Sequence, residues 1–230
     1  ISVIDLTLLD EHATAEQLHE LASKAQQYSV AALCILPKHL SDISSEISVK
    51  RATVANFPSG AQPHQQVLKD INDIATRLRV DEIDYVFNYQ AYLAGEQHLA
   101  LSYCKEAYQV CKEHNLIFKV ILETGALPSN ESIYEISRAI LDHGCNFLKT
   151  STGKIATGAT IPAAFSILAA IVDSGMDCGI KVSGGIKTAE QALHFMQLAR
   201  NIFNQELNSK CFRIGASSLL DEVVKNLQAS

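Results

Sequence analysis

The sequence predicts a (β/α)8 barrel, because strand-like and helix-like segments alternate along the whole chain. Its 230 residues accommodate eight such units. Each unit would then span about 29 residues, which is the size of a barrel repeat. The strand segments are short, apolar and rich in β-branched residues, as in a parallel sheet covered by helices. A Rossmann-type sheet would instead carry G-x-G-x-x-G after its first strand, and this chain has no such motif there. We therefore expect residues 1–230 to form one barrel domain without a linker or repeat.

The predicted strands are apolar runs, each closed by a polar turn, a glycine or a proline. Pro37 ends the second run, and Pro58-Ser59-Gly60 closes the third. The eight predicted strands are Ser2–Asp5, Val30–Leu36, Arg51–Phe57, Glu82–Asn88, Ile117–Leu122, Phe147–Ser151, Gly179–Ser183 and Phe212–Gly215.

The predicted helices are amphipathic segments that follow each strand. Thr14 is a predicted N-cap for the first helix and Thr160 for the sixth. Pro162 then falls in the first helical turn, where its missing N–H does no harm. The eight predicted helices are Ala15–Tyr28, Lys38–Ile47, His64–Arg79, Glu96–His114, Ser129–Asp142, Thr160–Ser174, Ala189–Phe203 and Ser218–Leu227.

Composition excludes several classes of protein. A formal net charge of −6 and a pI near 5.7 argue against a nucleic-acid-binding surface. The longest apolar run, Ala163–Val172, fits a buried helix rather than a membrane span. There is no signal-peptide pattern, and the first residue is Ile1, so we expect native residues to precede it.

Cysteine and histidine usage indicates a cytosolic protein without a metal site. The six cysteines form no C-x-x-C pair, which predicts free thiols in a reducing cytosol. The eight histidines form no H-x-H or H-E-x-x-H motif, which disfavours a metal. We expect no cofactor. A homodimer is compatible with the sequence, which does not itself determine oligomeric state.

Charged residues lie on one face of the predicted strands. Alternate residues of a barrel strand face the helices and the lumen. One interior lysine is commonly structural, with its stem packed and its ammonium at water. Here five consecutive strands carry charges on the lumen side, and this agreement predicts an enzyme site inside the barrel. These residues are Asp84, Lys119 with Glu123, Lys149, Lys181 and Arg213.

Lys149 is a candidate nucleophile, since it lies in the apolar strand Phe147–Ser151. Lys181 lies on the neighbouring strand, about 4.8 Å away. Two ammonium groups about 6 Å apart repel by roughly 2.8 kcal/mol at a dielectric near 20, or about two pKa units. One lysine would therefore be neutral and able to form a Schiff base, with Asp84 as a proton carrier. Lys154, a few residues later, competes with Lys149 for the role of nucleophile at this point.

Three polar segments predict an anion site at the carboxyl ends of the last strands. Backbone N–H groups, hydroxyls and helix N-termini suit a phosphate, and barrels often bind one there. Taken singly, Gly-Gly is often only a turn and Ser-Ser only a helix cap. The segments are Thr152-Gly153-Lys154, Gly184-Gly185 and Ser217-Ser218.

These motifs resemble those of the deoxyribose-phosphate aldolases, in the order of that family and over essentially the whole chain. The block from Phe147 to Lys154 is the most specific. The matching blocks are Ile4-Asp5-Leu6-Thr7-Leu8, Glu82-Ile83-Asp84-Tyr85-Val86-Phe87, Val120-Ile121-Leu122-Glu123-Thr124-Gly125, Phe147-Leu148-Lys149-Thr150-Ser151-Thr152-Gly153-Lys154, Lys181-Val182-Ser183-Gly184-Gly185-Ile186 and Arg213-Ile214-Gly215-Ala216-Ser217-Ser218.

The resemblance implies a class I aldolase of deoxyribonucleoside catabolism. It would reversibly cleave 2-deoxy-D-ribose 5-phosphate to acetaldehyde and D-glyceraldehyde 3-phosphate, without metal or cofactor. Lys149, favoured over Lys154 by the motif, would form the Schiff base, and Lys181 and Asp84 would relay protons. The resemblance assigns the substrate pocket to Asp5, Thr7 and Cys34, and the phosphate to Thr152, Lys154, Gly184, Gly185, Ser217 and Ser218.

Two departures from the family pattern affect this interpretation. Lys187 stands where many members have arginine, and a point charge binds phosphate differently from a guanidinium. The chain ends Gln228-Ala229-Ser230, without the terminal tyrosine of some members. The alternatives are an aldolase for another phosphorylated sugar, a phosphosugar isomerase with a carboxylate base, and a catalytically silent binding protein.

Overall fold

The computed structural model describes residues 1–44 and 46–228 and confirms the predicted (β/α)8 barrel. Eight parallel strands pair in chain order, and the last pairs with the first to close the sheet. They are β1 Ile4–Leu8, β2 Ala32–Ile35, β3 Lys50–Ala55, β4 Glu82–Val86, β5 Ile117–Ile121, β6 Phe147–Lys149, β7 Gly179–Ser183 and β8 Phe212–Ala216.

The helices surround this barrel, and the predicted caps are present. The Thr14 side chain accepts from Gln17 N–H in a capping box, and Thr160 accepts from Ala163 N–H. The helices are α1 Ala15–Gln27, α2 His64–Arg77, α3 Tyr89–Leu93, α4 Gln97–Glu113, α5 Asn130–His143, α6 Ile161–Ser174, α7 Ala189–Phe203 and α8 Leu219–Gln228. In the described ranges, no helix is long and apolar enough to cross a bilayer.

Several predicted strand boundaries are wrong. β2 begins two residues later than predicted, and β3 and β4 each end two residues earlier. β1 begins at Ile4 and continues to Leu8, whereas the prediction ended it at Asp5. Asp5 does not end the strand because Arg213 and Lys181 neutralise its carboxylate inside the barrel. β6 ends at Lys149 rather than Ser151, although Thr150 still bonds to β7 through its N–H and hydroxyl.

Several helical predictions also need correction. Between β2 and β3 the chain forms only a short 3-10 helix, Pro37–Asp42, in place of the predicted Lys38–Ile47. The His39 ring holds this turn through Asp10 O and the Asp42 carboxylate. The short helix α3 and a 3-10 turn at Thr124–Ala126 were not predicted. Ser45, within the predicted helix, and Ala229 and Ser230 at the chain end lie outside the described residues.

The parity predicted for the strands is confirmed. Ile83, Tyr85, Leu148 and Ile180 pack outward into one apolar core shared with the helices. The lumen instead holds charged side chains and a small apolar cluster of Ala32, Cys34 and Ala52. Since the lumen-facing residues of β2 and β3 are small, they leave space for the long lysine side chains of β5, β6 and β7.

Candidate active site

A cluster of seven charged residues fills the lumen, and each residue is 2 % exposed or less. Asp84 lies at its centre. Its Oδ2 accepts hydrogen bonds from Lys149 Nζ and Lys181 Nζ, both at 2.7 Å, and its Oδ1 accepts from Lys119 Nζ at 2.8 Å. This ionic cluster consists of Asp5, Glu82, Asp84, Lys119, Lys149, Lys181 and Arg213.

Strand register brings these side chains together. Lys149 pairs with Lys181 across β6 and β7, and Asp84 pairs with Lys119 across β4 and β5. Gly215 on β8 makes room for Lys181, since a Cβ at that position would lie 3.1 Å from Lys181 Cε. The two catalytic lysine candidates therefore reach one carboxylate oxygen from adjacent strands.

The environment distinguishes Lys149 from Lys181. Burial lowers the pKa of Lys149 below its ordinary value; Asp84 opposes this, and the charge of Lys181 lowers it further. Burial also lowers the pKa of Lys181, but Asp5 and Asp84 outweigh it and raise the pKa above its ordinary value. A lysine whose pKa is lowered has more neutral amine at physiological pH, so Lys149 is the better nucleophile.

Asp84 is ionised in this environment. Burial would raise its pKa, but Lys119, Lys149 and Lys181 lower it well below the ordinary value. An ionised carboxylate that contacts both lysines can hold their amino groups in place and accept a proton from either. The arrangement thus combines a nucleophile, a cation and a base within hydrogen-bonding distance.

The lower part of the ionic cluster joins β1, β4, β5 and β8. Glu82 is 2.5 Å from Lys119 Nζ and 3.0 Å from Arg213 Nη2. Asp5 is 2.6 Å from Arg213 Nη1 and 2.5 Å from Lys181 Nζ. Sequence reasoning missed Glu82, although it shares the strand parity of Asp84. The resemblance assigned Asp5 to the substrate pocket. Its carboxylate pairs with Arg213 and Lys181 within the cluster, and its contact with a substrate stays a prediction.

A cavity of about 330 Å³ opens above the ionic cluster at the carboxyl ends of the strands. Its size falls in the range of small-molecule sites. Lys149 is the cluster residue that lines it, together with residues of the β1, β6, β7 and β8 loops. The predicted site residues that also line it are Thr7, Thr152, Lys154, Gly184, Gly185 and Ser217.

Other predicted residues lie near this cavity without lining it. Cys34 is fully buried in the lumen beneath it, and burial raises the pKa of its thiol. Ser218 is exposed, follows the lining residue Ser217, and accepts a bond from Glu222 N–H as α8 begins. Lys187, the departure from the family pattern, lines the cavity and is exposed.

Two of the predicted phosphate ligands have protein partners. Thr152 donates its hydroxyl to Glu123 Oε2 at 2.5 Å and its N–H to Glu123 Oε1 at 3.2 Å. Lys154 donates its ammonium to Leu9 O at 2.7 Å. Thr152 therefore orders the loop through Glu123, whereas the exposed Lys154 ammonium can rotate toward an anion.

The glycine pair is required by the backbone. Gly184 and Gly185 have φ of 89° and 82°, a region that other residues rarely adopt. A Cβ on Gly184 would lie 2.9 Å from Gly158 Cα, in the loop after β6. The pair lets the β6 and β7 loops approach each other at the cavity rim. In the described part of the chain, no three His, Cys, Asp or Glu side chains are placed to share a metal ion.

A larger cavity, about 740 Å³, lies beside the β1 loop and α2. It shares Leu9, Asp10 and Lys154 with the smaller one, but its walls contain none of the seven cluster residues. The smaller cavity is therefore the candidate active site, because Lys149, the candidate nucleophile, lines it.

The sequence matches a known family of aldolases, and the fold is similar to that of several solved structures. The model of the DeoC/LacD family aldolases matches residues 1–223. The structure is similar to that of an aldolase named QR15, with 25% identity, a TM-score of 0.84, and coverage of 99% of this chain and 97% of that one. It is also similar to a Coccidioides immitis protein that carries the provisional name deoxyribose-phosphate aldolase, with 25% identity, a TM-score of 0.85, and coverage of 97% and 85%. The fold matches that of a tetrameric deoxyribose phosphate aldolase from Aeropyrum pernix, with 23% identity, a TM-score of 0.81, and coverage of 99% and 90%.

Proposed function

The chain belongs to the DeoC/LacD family of aldolases, and on this premise we propose that Lys149 forms a Schiff base with 2-deoxy-D-ribose 5-phosphate. The products of the reversible cleavage are acetaldehyde and D-glyceraldehyde 3-phosphate. The observation that supports this most strongly is the position of Lys149. It lines the candidate site, contacts Asp84 at 2.7 Å, and has a lowered pKa. The six free thiols are in keeping with the reducing cytosol expected from the sequence.

In the proposed mechanism, the neutral amine of Lys149 attacks the C1 aldehyde of the open-chain sugar and loses water to give an iminium. Deprotonation of the C3 hydroxyl then breaks the C2–C3 bond, and the electron pair moves into the iminium to form an enamine. C3 becomes the aldehyde of D-glyceraldehyde 3-phosphate. Protonation of the enamine at C2 and hydrolysis release acetaldehyde and restore Lys149.

Lys181 and Asp84 serve as the proton carriers in this proposal. Lys181 keeps its proton because Asp5 and Asp84 raise its pKa, so its ammonium can donate. Asp84 Oδ2 contacts both amino groups at 2.7 Å and can pass a proton between them, directly or through water. The cluster thus supplies an acid and a base without a change in its overall charge.

An aldolase that acts on another phosphorylated sugar is the second candidate, since iminium chemistry does not fix the substrate and the family name joins two groups. Purified protein should convert 2-deoxyribose 5-phosphate to acetaldehyde and glyceraldehyde 3-phosphate, as measured by coupled reduction of each aldehyde. Lys149 adduct formation without this cleavage would favour the second candidate. Isomerised sugar phosphate without any adduct would instead indicate an isomerase.

We expect the β8 loop to bind the phosphate of the substrate. Ser217 lines the cavity just before α8, whose N-terminus favours an anion. Ser217→Asp should raise KM for 2-deoxyribose 5-phosphate by on the order of 10- to 100-fold, since a carboxylate repels the dianion. The kcat/KM for unphosphorylated 2-deoxyribose should change much less, and the comparison isolates the contribution of the phosphate.

Ser23→Asp, on the exposed side of α1, is the matched control for one added charge. It should leave both substrates unaffected. Equal losses on both substrates in Ser217→Asp would mean that the substitution had damaged the upper face of the barrel generally. Unchanged kinetics in Ser217→Asp would indicate that Lys154 and Lys187, rather than the β8 loop, bind the phosphate.

A further inference from the structure

Glu82, Lys119 and Arg213 take no part in the proposed mechanism, yet they are buried against residues that do. We infer that Glu82, Lys119 and Arg213 form a charge-balancing layer that sets the protonation state of Lys149, with Lys119 also positioning Asp84. This inference rests on the proposed function, because it concerns how the Schiff-base lysine stays neutral.

The count of charges supports a neutral Lys149. The cluster contains three carboxylates (Asp5, Glu82 and Asp84) and four side chains that can carry positive charge. With all seven ionised, the buried lumen holds one unbalanced positive charge, which is costly in a medium of low dielectric. Loss of one proton removes that charge, so the cluster is balanced with one neutral lysine.

The distances indicate which lysine loses the proton. Lys119 Nζ has three carboxylates around it, Glu82 at 2.5 Å, Asp84 at 2.8 Å and Asp5 at 3.5 Å. Lys181 Nζ has two, Asp5 at 2.5 Å and Asp84 at 2.7 Å. Lys149 Nζ has Asp84 alone, at an oxygen that it shares with Lys181. Lys149 therefore has the fewest carboxylate partners of the three lysines, and it is the lysine that loses its proton.

Lys119 also determines which oxygen of Asp84 the catalytic lysines use. It donates to Oδ1 at 2.8 Å, and Glu82 holds Lys119 from the other side at 2.5 Å. With Oδ1 occupied, Oδ2 is the oxygen that faces Lys149 and Lys181. Lys119 is thus a positioning residue, since it acts on the reaction through Asp84.

Other ionisable groups near Lys149 lie outside this balance. The Glu123 carboxylate is buried, but its oxygens accept from the Thr152 N–H and hydroxyl in the loop above, and it forms no ion pair with the four cations of the cluster. The Cys34 thiol on β2 is neutral because burial raises its pKa. Lys50 on β3 reaches Glu82 at 3.5 Å, but its side chain is 52% exposed and water screens its charge. The groups that face Lys149 from the surrounding elements are Asp5, Cys34, Glu82, Asp84, Lys119, Glu123, Lys181 and Arg213, with Lys154 and Lys187 at the cavity rim.

Removing a positive charge from this layer should shift the pKa of Lys149 in one direction, and removing a negative charge should shift it in the other. Lys119→Met removes a positive charge, so a protonated Lys149 then balances the three carboxylates and its pKa rises. Schiff-base capture should shift to higher pH by about one unit, as for a unit charge several Å away. Glu82→Gln adds to the positive excess, so capture should shift to lower pH, by a smaller amount because Glu82 is farther from Lys149. The double variant restores the balance and should return the midpoint toward that of the wild type.

The experiment measures the initial rate of acetaldehyde capture from about pH 5 to about pH 10, a range that ends near the ordinary pKa of a lysine side chain. Borohydride is the quench, and peptide mass mapping locates the adduct. An adduct absent from Lys149 in the wild type would refute the proposed function itself. If the adduct is on Lys149, two results would overturn the inference. One is that Lys119→Met and Glu82→Gln shift the capture midpoint in the same direction, and the other is that Glu82→Gln leaves the midpoint unchanged.

The double variant separates charge balance from structural damage. Damage to packing would accumulate in Glu82→Gln/Lys119→Met, whereas charge balance requires its midpoint to return toward the wild-type value. Far-UV circular dichroism checks the fold of each variant. If Lys119→Met alone does not fold, the near-isosteric Glu82→Gln and the double variant still decide the question. A Glu82→Gln midpoint at or above that of the wild type contradicts the inference.

Discussion

Lys149→Met should abolish covalent capture of acetaldehyde and lower aldol cleavage by on the order of 10⁴-fold or more, as for loss of a nucleophile. The variant removes the amine that lines the cavity, and with it the proposed iminium that would accept the electron pair. It should nevertheless fold, because three carboxylates and three cations remain in the buried cluster. Mass spectrometry after borohydride reduction measures the capture, and a coupled aldehyde assay measures the cleavage.

Lys154→Met is the matched control, since Lys154 also lines the cavity and the substitution is chemically the same. Its ammonium bonds to Leu9 O at the rim rather than to the ionic cluster. The control should still form the adduct and should lose affinity for the phosphorylated sugar only. An adduct on Lys154 or Lys181 of the wild-type protein would contradict the assignment of Lys149.

Most of the fold follows from local patterns in the sequence. Alternation of the strands and helices, the caps at Thr14 and Thr160, and strand parity are all set by neighbouring residues. The boundaries of β1 are not, because Asp5 looks like the end of a strand until Arg213 and Lys181 are seen beside it. These partners lie at the other end of the sequence, and only closure of the barrel brings them near.

The candidate site shows the same division. Parity places Asp84, Lys149 and Lys181 in the lumen. The parallel register then brings the ammonium groups of both lysines to one oxygen of the Asp84 carboxylate. Parity alone would also have found Glu82, two residues before Asp84. The partner of Thr152 could not be read from sequence spacing, because Glu123 turns into the loop through a left-handed backbone with φ of 56°. A hydroxyl that is predicted to bind phosphate, such as that of Thr152, can thus donate its hydrogen bond to a neighbouring loop instead.

The second large effect is expected at Lys181. Its charge lowers the pKa of Lys149, and its ammonium is the proposed proton donor. Lys181→Met should therefore lower turnover by on the order of 10³-fold, through loss of acid–base catalysis. Without that cation, three carboxylates face Lys119, Arg213 and Lys149, so a protonated Lys149 balances the cluster. The pKa of Lys149 rises, its neutral fraction falls at pH 7, and capture recovers only at higher pH.

The pH dependence separates the two roles of Lys181. Both nitrogens lie 2.7 Å from Asp84 Oδ2, so they are close to each other. Loss of a like charge about 5 Å away should move the midpoint of acetaldehyde capture upward by about two units. Lys187→Met is the matched control, because Lys187 is an exposed cation at the same cavity. Water screens its charge, so it should raise KM for the phosphorylated sugar without moving the midpoint. If Lys181→Met lowered turnover and left the midpoint in place, Lys181 would act in proton transfer alone, and burial with Asp84 would have to account for the neutral amine of Lys149.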